Sequence, residues 1–272
     1  MPRKAGSLNF AVIGDAGRGS RPQYDVAAQM EGWREIFPYD FVLMAGDNVY
    51  DGGTSEDYRL KFELPYKPLL EAGVKFYGAL GNHDAQNQVR YEPLNMNGNR
   101  YYTFEKRLGL VGTRHARFFV LDTVRLDYSQ LRWLDRELAA SDADWKIALF
   151  HHPIYTSGRY QSSAAGLRRR LEPIFVRHGL DVAFSGHEHF YERTLPQHGV
   201  TYFVSGAGGS LRPGDISPAA GGGRRAVGFD RDNHFLLIEI AGDELYFQAI
   251  TRTGETIDAS VIHRDRAGPT VR

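Results

Sequence analysis

The sequence predicts an α/β fold in which two packed β-sheets are flanked by helices. Three observations carry that prediction. Apolar runs of strand length alternate with helix-period segments through most of the chain. Many of those runs end in a glycine followed by a side chain able to bind a metal. After a Gly-, Pro- and Ala-rich stretch, the last part of the chain alternates β signals with turns.

The elements follow in order. LNFAVI (Leu8 to Ile13) reads as a buried strand, and a helix is expected over about Tyr24 to Ile36, ended by Pro38. FVLMA (Phe41 to Ala45) and VKFYGAL (Val74 to Leu80) are strands. Ser55 to Leu64 between them looks helical, broken by Pro65 and Pro68. YYTFE and RFFVLDT read as further strands. Ser129 is expected to cap the helix QLRWLDRELAA, with Leu131, Leu134 and Leu138 on one face. KIALF (Lys146 to Phe150) is a strand, and a helix from Ala164 to His178 ends at Gly179, a C′ position. DVAFS and TYFVSG are strands. Gly206 to Gly228 reads as one long loop bordering a site, and a β-meander with turns at Gly242-Asp243 and Gly254 closes the chain. No repeat or linker divides residues 1–272, so a single domain is expected.

Composition narrows the function classes. Lys+Arg and Asp+Glu are equal at 33 each, so no basic footprint for nucleic acid or anionic lipid exists at the whole-chain level. The run Arg168 to Arg170 falls on a helix and reads as a solvated face. The chain has no cysteine, which excludes disulfides and leaves oxygen and nitrogen as metal ligands. No segment has the ~20 apolar residues of a membrane span. The N-terminal apolar stretch is too short for a signal peptide. Oligomeric state is not fixed by the sequence.

Five short motifs carry the chemistry: GDAG at Asp15, GDNVY from Asp47 to Tyr50, GNHD from Asn82 to Asp84, FHHP at His151 and His152, and GHEH at His187 and His189. Each follows an apolar strand. In open α/β sheets the strand C-termini share an edge and sites form in the crevice there. One GD or GNH is weak evidence; five in succession after strands are strong. Two-metal hydrolysis needs cations about 3.5–4 Å apart with a shared ligand, and Asp47 is the candidate bridge. His115, His178, His198, His234 and His263 lie outside the motifs and read as surface or helix-end residues. GAGG at Gly206 to Gly209 has no helix signal after it and reads as a turn near the site mouth.

These residues resemble the calcineurin-like metallophosphoesterases and, within them, the purple acid phosphatases of the short, tartrate-resistant type. The resemblance spans residues 15 to 189 and implies a metallophosphoesterase-type αββα sandwich. Most of the superfamily has D-x-H in the first block, whereas here Gly17 stands at the His position and Tyr50 supplies a ligand instead. The resemblance implies Fe³⁺ held by Asp15, Asp47, Tyr50 and His189, and Fe²⁺, Zn²⁺ or Mn²⁺ held by Asp47, Asn82, His151 and His187. It implies phosphomonoester hydrolysis by in-line attack of a metal-bound hydroxide on a small phosphorylated substrate. His83 would contact the phosphate and protonate the leaving oxygen, with Asp84 orienting it. A secreted or periplasmic setting is also implied. Many relatives have a further histidine nine or ten residues after the FHHP block; Tyr160 and Gln161 fall there. Tyr155, Arg159 and Tyr160 are the candidate replacements as phosphate contacts, and His152 either lines the site or is structural. Glu192 and Arg193 are expected in supporting packing. The alternative activities are phosphodiester or nucleotide hydrolysis on the same metals, and the non-enzymatic alternative is a metal-binding or redox protein.

Overall fold

The computed structural model describes residues 1–109, 113–217 and 223–264. Among them, thirteen strands form two sheets. The first sheet is built on β1 (Leu8–Ile13), β2 (Phe41–Met44) and β3 (Lys75–Gly78), paired in parallel, and is extended by β11 (His234–Ala241), β12 (Glu244–Thr251) and β13 (Thr256–His263). Its order is β13-β12-β11-β1-β2-β3. The second sheet contains β4 (Tyr102–Arg107), β5 (His115–Val120), β6 (Trp145–Leu149), β7 (Val182–Ser185), β8 (Tyr191–Thr194), β9 (Thr201–Ser205) and β10 (Arg225–Phe229). Its order is β10-β8-β9-β7-β6-β5-β4, with β5, β6, β7 and β9 parallel.

Strand side chains alternate between two apolar layers. Phe10 and Val12 of β1 face the other sheet, where they meet Phe118, Trp145, Ile147 and Phe184. Phe10 stacks on Phe41 at 4.9 Å between centroids and meets Phe118 edge-on at 5.6 Å. Each fully buried ring contributes roughly 1.5–3 kcal/mol. Ala11 and Ile13 point outward, towards Val26 and Met30 of helix α1 (Arg21–Ile36). The outer face of the second sheet is covered by α4 (Tyr128–Ala139) and α5 (Gln161–Arg177), through Leu134, Leu138, Leu171 and Phe175. The two short helices α2 (Ser55–Tyr58) and α3 (Lys67–Glu71) complete the α-helices among the described residues.

Several elements depart from expectation for identifiable reasons. Helix α1 starts at Arg21, because Pro22 suits a first helical turn. Pro68 likewise opens α3 rather than breaking a helix, and Arg59–Glu63 is a π-helix that continues α2. The cap of α4 is Asp127, whose carboxylate accepts from the Gln130 amide at 2.8 Å; Ser129 lies inside the helix. Strand β8 was not expected. Its Glu192 and Arg193 look unlike strand residues, but they pair with Ser157 and Asp258. The long loop is interrupted by β10, and residues 218–222 of it lie outside the described residues. Arg169 and Arg170 are exposed as expected, whereas Arg168 is half-buried over the Tyr155 ring.

His234 is the clearest correction among the histidines outside the motifs. It is fully buried, and its Nε2 is 3.2 Å from Ser205 Oγ. Burial pushes its pKa from 6.5 down to about 3. The unfolded chain therefore takes up this proton first as the pH falls. The resulting penalty is absent above about 6.5, grows at up to ~1.4 kcal/mol per pH unit, and is complete near the folded value of about 3. In metal-free protein, His234→Phe is expected to flatten the loss of stability between those limits. Denaturant melts at several pH values would read the change in slope; parallel curves would remove His234 as its cause.

Candidate metal centre

The parallel strands of both sheets end at one edge, and the five motifs meet there. Asp15, Asp47 and Asn82 follow β1, β2 and β3, while His151 and His187 follow β6 and β7. Backbone contacts tie the sheets together at this edge. The His187 amide donates to Asp15 Oδ2 at 2.7 Å, and His151 Nδ1 donates to the Ala45 carbonyl at 2.9 Å.

The turns are tight and strained. Asp15, Asp47 and His187 all adopt left-handed backbone conformations, with φ of 54°, 52° and 70°. For residues with a Cβ this costs about 1–2 kcal/mol each, and such strain gathers at functional sites. Gly81 is required by close approach: a Cβ there would lie 2.1 Å from the Asp47 nitrogen. Gly17 has the same constraint, since a Cβ would lie 1.9 Å from the Asn48 carbonyl oxygen. The Tyr50 amide donates to the Gly17 carbonyl at 2.9 Å. The GDNVY turn therefore occupies the space that a side chain at position 17 would need, and it brings the phenol of Tyr50 into the site.

Two donor groups result. Asp15, Asp47 and His189 place ligand atoms within 4.8 Å of one another, as do His151, His152 and His187. The Tyr50 hydroxyl joins the first group, 3.2 Å from both Asp15 Oδ1 and His189 Nε2. Asn82 joins the second, with Oδ1 3.0 Å from His151 Nε2. Asp47 Oδ1 is 3.5 Å from the same nitrogen, so Asp47 touches both groups.

Their protonation suits cations. Because Nδ1 of His151 donates to Ala45, its Nε2 presents a lone pair towards the oxygens of Asn82 and Asp47. Acceptors facing acceptors repel unless a cation lies between them. Burial, reinforced by neighbouring imidazoles, lowers the pKa of His151 and pushes that of His187 down to about 2. Burial and the Arg212 charge push that of His189 down to about 3. All three are neutral and ready to ligate. Burial and the Asp47 charge hold the Asp15 carboxyl well above its usual range. Burial and the carboxylates of Asp15 and Asp47 raise the Tyr50 phenol in the same way. Buried carboxylates crowded together in this way need positive charge, and the donor set fits two cations of oxygen- and nitrogen-binding type.

Other expectations are corrected. The Asp84 carboxylate accepts from the amides of Val49 and Gly81 at 2.9 and 2.8 Å, and from Asn48 Nδ2 at 3.2 Å. It holds the second and third motif turns together, and burial with the Asp47 charge pushes its pKa up to about 8. His83 Nδ1 instead faces Asp51 Oδ1 at 3.1 Å. Tyr155 does not reach the donor groups: its ring lies in the outer apolar layer and its hydroxyl donates to Glu172. Arg159 is paired with Asp215. Tyr160 does stand at the site, its ring 4.3 Å from that of His187. His152 is also 4.3 Å from the His187 ring, and Thr123 Oγ1 lies 3.1 Å from its Nδ1. Sequence reasoning missed Asp51, Thr123, Arg18 and Arg212, whose positions come from folding rather than from a motif.

Comparison with known proteins agrees with this geometry. The family described as calcineurin-like phosphoesterase matches residues 8–191. Purple acid phosphatase 17 of Arabidopsis thaliana is 30% identical over 245 residues, covering 78% of this chain and 72% of its own. Tartrate-resistant acid phosphatase type 5 of Homo sapiens is 25% identical over 244 residues, covering 76% and 74%. Among solved structures, purple acid phosphatase PPD1 from yellow lupin (Lupinus luteus) seeds has a TM-score of 0.75 at 20% identity, over 98% of this chain and 55% of that one. GAP50, described as the anchor in the inner membrane complex of Plasmodium, has a TM-score of 0.83 at 20% identity, over 96% and 90%. No helix among the described residues is long and apolar enough to cross a membrane. On the matched family, the identity to its plant members and the two donor groups at the sheet edge, the chain belongs to the purple acid phosphatases of the calcineurin-like phosphoesterase family and is a dimetal phosphoesterase.

Proposed function

We propose that the chain is a phosphomonoesterase acting as a single domain on small phosphorylated substrates. The observation that carries the reading is Asp47, one carboxylate in contact with both donor groups. The proposed first position is Asp15, Asp47, Tyr50 and His189, whose three oxygen ligands, anionic once a bound cation has drawn off their protons, would favour Fe³⁺. The second is Asp47, Asn82, His151 and His187, which suits Fe²⁺, Zn²⁺ or Mn²⁺. When bound, such cations screen phosphate oxygens and acidify water.

The chain's own residues do the rest. Asp47 Oδ1 accepts from the His83 backbone amide at 2.9 Å, which fixes this histidine at the rim of the site. The His83 ring lies 4.9 Å from the Tyr50 ring and is solvent-accessible, so it can reach a leaving oxygen. Asp51 engages Nδ1, so Nε2 is the atom from which the doubly protonated ring would hand its proton to a leaving oxygen. Tyr160, beside His187, is the candidate contact that stands where many relatives have a histidine.

A protonated leaving group matters most for an alkoxide, a poor leaving group. His83→Ala is therefore expected to lower turnover of alkyl phosphates by about 10²–10⁴-fold and of aryl phosphates far less. Asp51→Ala should show part of the same bias. Asp84→Asn should show no bias but should reduce stability by about 1–3 kcal/mol through lost buried hydrogen bonds. Steady-state kinetics on paired alkyl and aryl monoesters, with a diester as third arm, test this. Faster cleavage of the diester would favour a phosphodiesterase, and equal losses on both monoesters would remove His83 as proton donor.

A further inference from the structure

Helices α4 and α5 lie side by side on the outer face of the second sheet and run in the same direction. Arg170 Nη2 donates to the Leu126 carbonyl at 2.7 Å, and further along Arg177 and His178 reach Asp135 Oδ1 at 3.1 and 2.7 Å. Their inner stripes are used in the core, through Leu134, Leu138, Leu171 and Phe175. Their outer stripes carry arginine. Arg132 and Arg136 of α4, Arg169, Arg170 and Arg177 of α5, and Arg125 just before α4 are all exposed. Tyr128, which opens α4, is 70% exposed, the most open large hydrophobic side chain among the described residues. The Arg132 guanidinium carbon lies 4.8 Å from the centre of its ring, and Val124 beside Arg125 is exposed as well.

The acids of this face are already engaged. Asp127 caps α4 and pairs with Arg100, and Asp135 pairs with Arg177 and His178. Glu137 pairs with Arg117 and Arg136, and Glu172 accepts from the Tyr155 hydroxyl. Among the described residues, Arg125, Arg132, Arg169 and Arg170 have no carboxylate in ion-pair contact. Lys+Arg and Asp+Glu are equal at 33 each over the chain, so this local excess of positive charge is balanced by acid elsewhere. Such a charge dipole orients a protein of zero net charge towards an anionic surface. Guanidinium forks match phosphate oxygens, and two parallel ridges of them suit a plane of phosphates better than one extended acidic chain. An open tyrosine among them suits the headgroup level of a bilayer, where the ring is apolar and the hydroxyl wet.

We propose that the outer face of α4 and α5 docks the protein reversibly on an anionic lipid bilayer. Arg125, Arg132, Arg169 and Arg170 meet the headgroup phosphates, and Tyr128 enters the interface. The inference stands apart from the reading of the metal centre. Thr123, whose hydroxyl meets His152, precedes α4, and Tyr160, beside His187, precedes α5. The metal centre therefore opens at the N-terminal ends of the two helices, and docking along their length leaves that edge uncovered. Each arginine at an anionic surface is worth about five-fold in partition, a contribution that salt screens. The tyrosine adds an apolar contribution that salt does not screen.

The test is co-sedimentation of the full chain with vesicles of phosphatidylcholine alone or mixed with phosphatidylserine, at low and high salt. Binding is expected only with phosphatidylserine present, and salt should weaken it. Joint replacement of Arg169→Gln and Arg170→Gln should lower the partition by about 25-fold, and Arg132→Gln, on the other helix, by about five-fold. The corresponding lysine variants should keep most of the partition, since the charge stays. Tyr128→Ala should lower partition at both salt concentrations. Melting temperature and aryl phosphate turnover should be unchanged in every variant, because these side chains lie outside the core and the metal centre. Should the double variant fail to fold, Arg132→Gln alone still reads the same face. Equal partition on both kinds of vesicle, or glutamine variants that bind as wild type does, would overturn the proposal. A chain that ignores vesicles but binds duplex DNA or polyglutamate would overturn it too, and would assign the face to a different polyanion.

Discussion

Asp47→Asn is expected to lower aryl phosphate turnover on the order of 10³-fold or more and to leave the chain with at most one tightly held cation. The substitution keeps the size of the side chain and one oxygen able to accept from the His83 amide. It removes the charge and the second anionic oxygen from the only carboxylate proposed to serve both positions. Either the new amide group faces the His151 lone pair, or it turns towards Asp15 and His189; each arrangement spoils one donor group. Folding should survive, because removing one of two crowded buried carboxylates also relieves repulsion in the metal-free protein. Metal analysis beside turnover checks this. Two cations bound with near-wild-type rates would show that Asp47 does not bridge.

Tyr50→Phe has the second large effect, and it is visible. In the absence of metal the phenol is strongly held in its neutral form, by burial and then by the charges of Asp15 and Asp47. Only a strongly charged cation at the first position would draw off that proton. If that cation is Fe³⁺, the phenolate gives a broad visible absorption, and Tyr50→Phe should abolish it. The ring contacts to His83 and Arg18 should remain, so the loss is chemical rather than structural. Turnover is expected to fall by about 10²-fold or more through weaker iron retention. Visible spectra of iron-loaded wild type and variant decide the matter. A wild-type chain that stays colourless with two irons bound would place Tyr50 outside the coordination sphere.

The sheet edge was legible because most of these strands announce themselves twice, by an apolar run and by the glycine and polar residue that follow, while β6 runs through Phe150 straight into His151. Asp15, Asp47, Asn82, His151, His187 and His189 needed only the rule that parallel strands end together. The exchange of Gly17 for Tyr50 was also readable, and the structure adds its steric cause, the Asn48 carbonyl occupying the space beside Gly17. What stayed hidden depended on contacts between distant backbones. Asp84 looked like a partner for its neighbour His83, yet its acceptors serve the Val49 and Gly81 amides. Residue type alone could not show that His234 is buried beneath Tyr191, since an isolated histidine carries no burial signal. Strand β8 was masked by Glu192 and Arg193, whose charges are met inside the fold. Arg212 lay in a Gly- and Pro-rich loop with no periodicity to place it.

Titration of the metal-free chain with metal, while following aryl phosphate hydrolysis, tests the central claim of a shared two-cation site most directly. Turnover is predicted to be absent without metal and to reach its plateau only at two equivalents per chain. Full turnover at one equivalent, or none with two cations firmly bound, would contradict it.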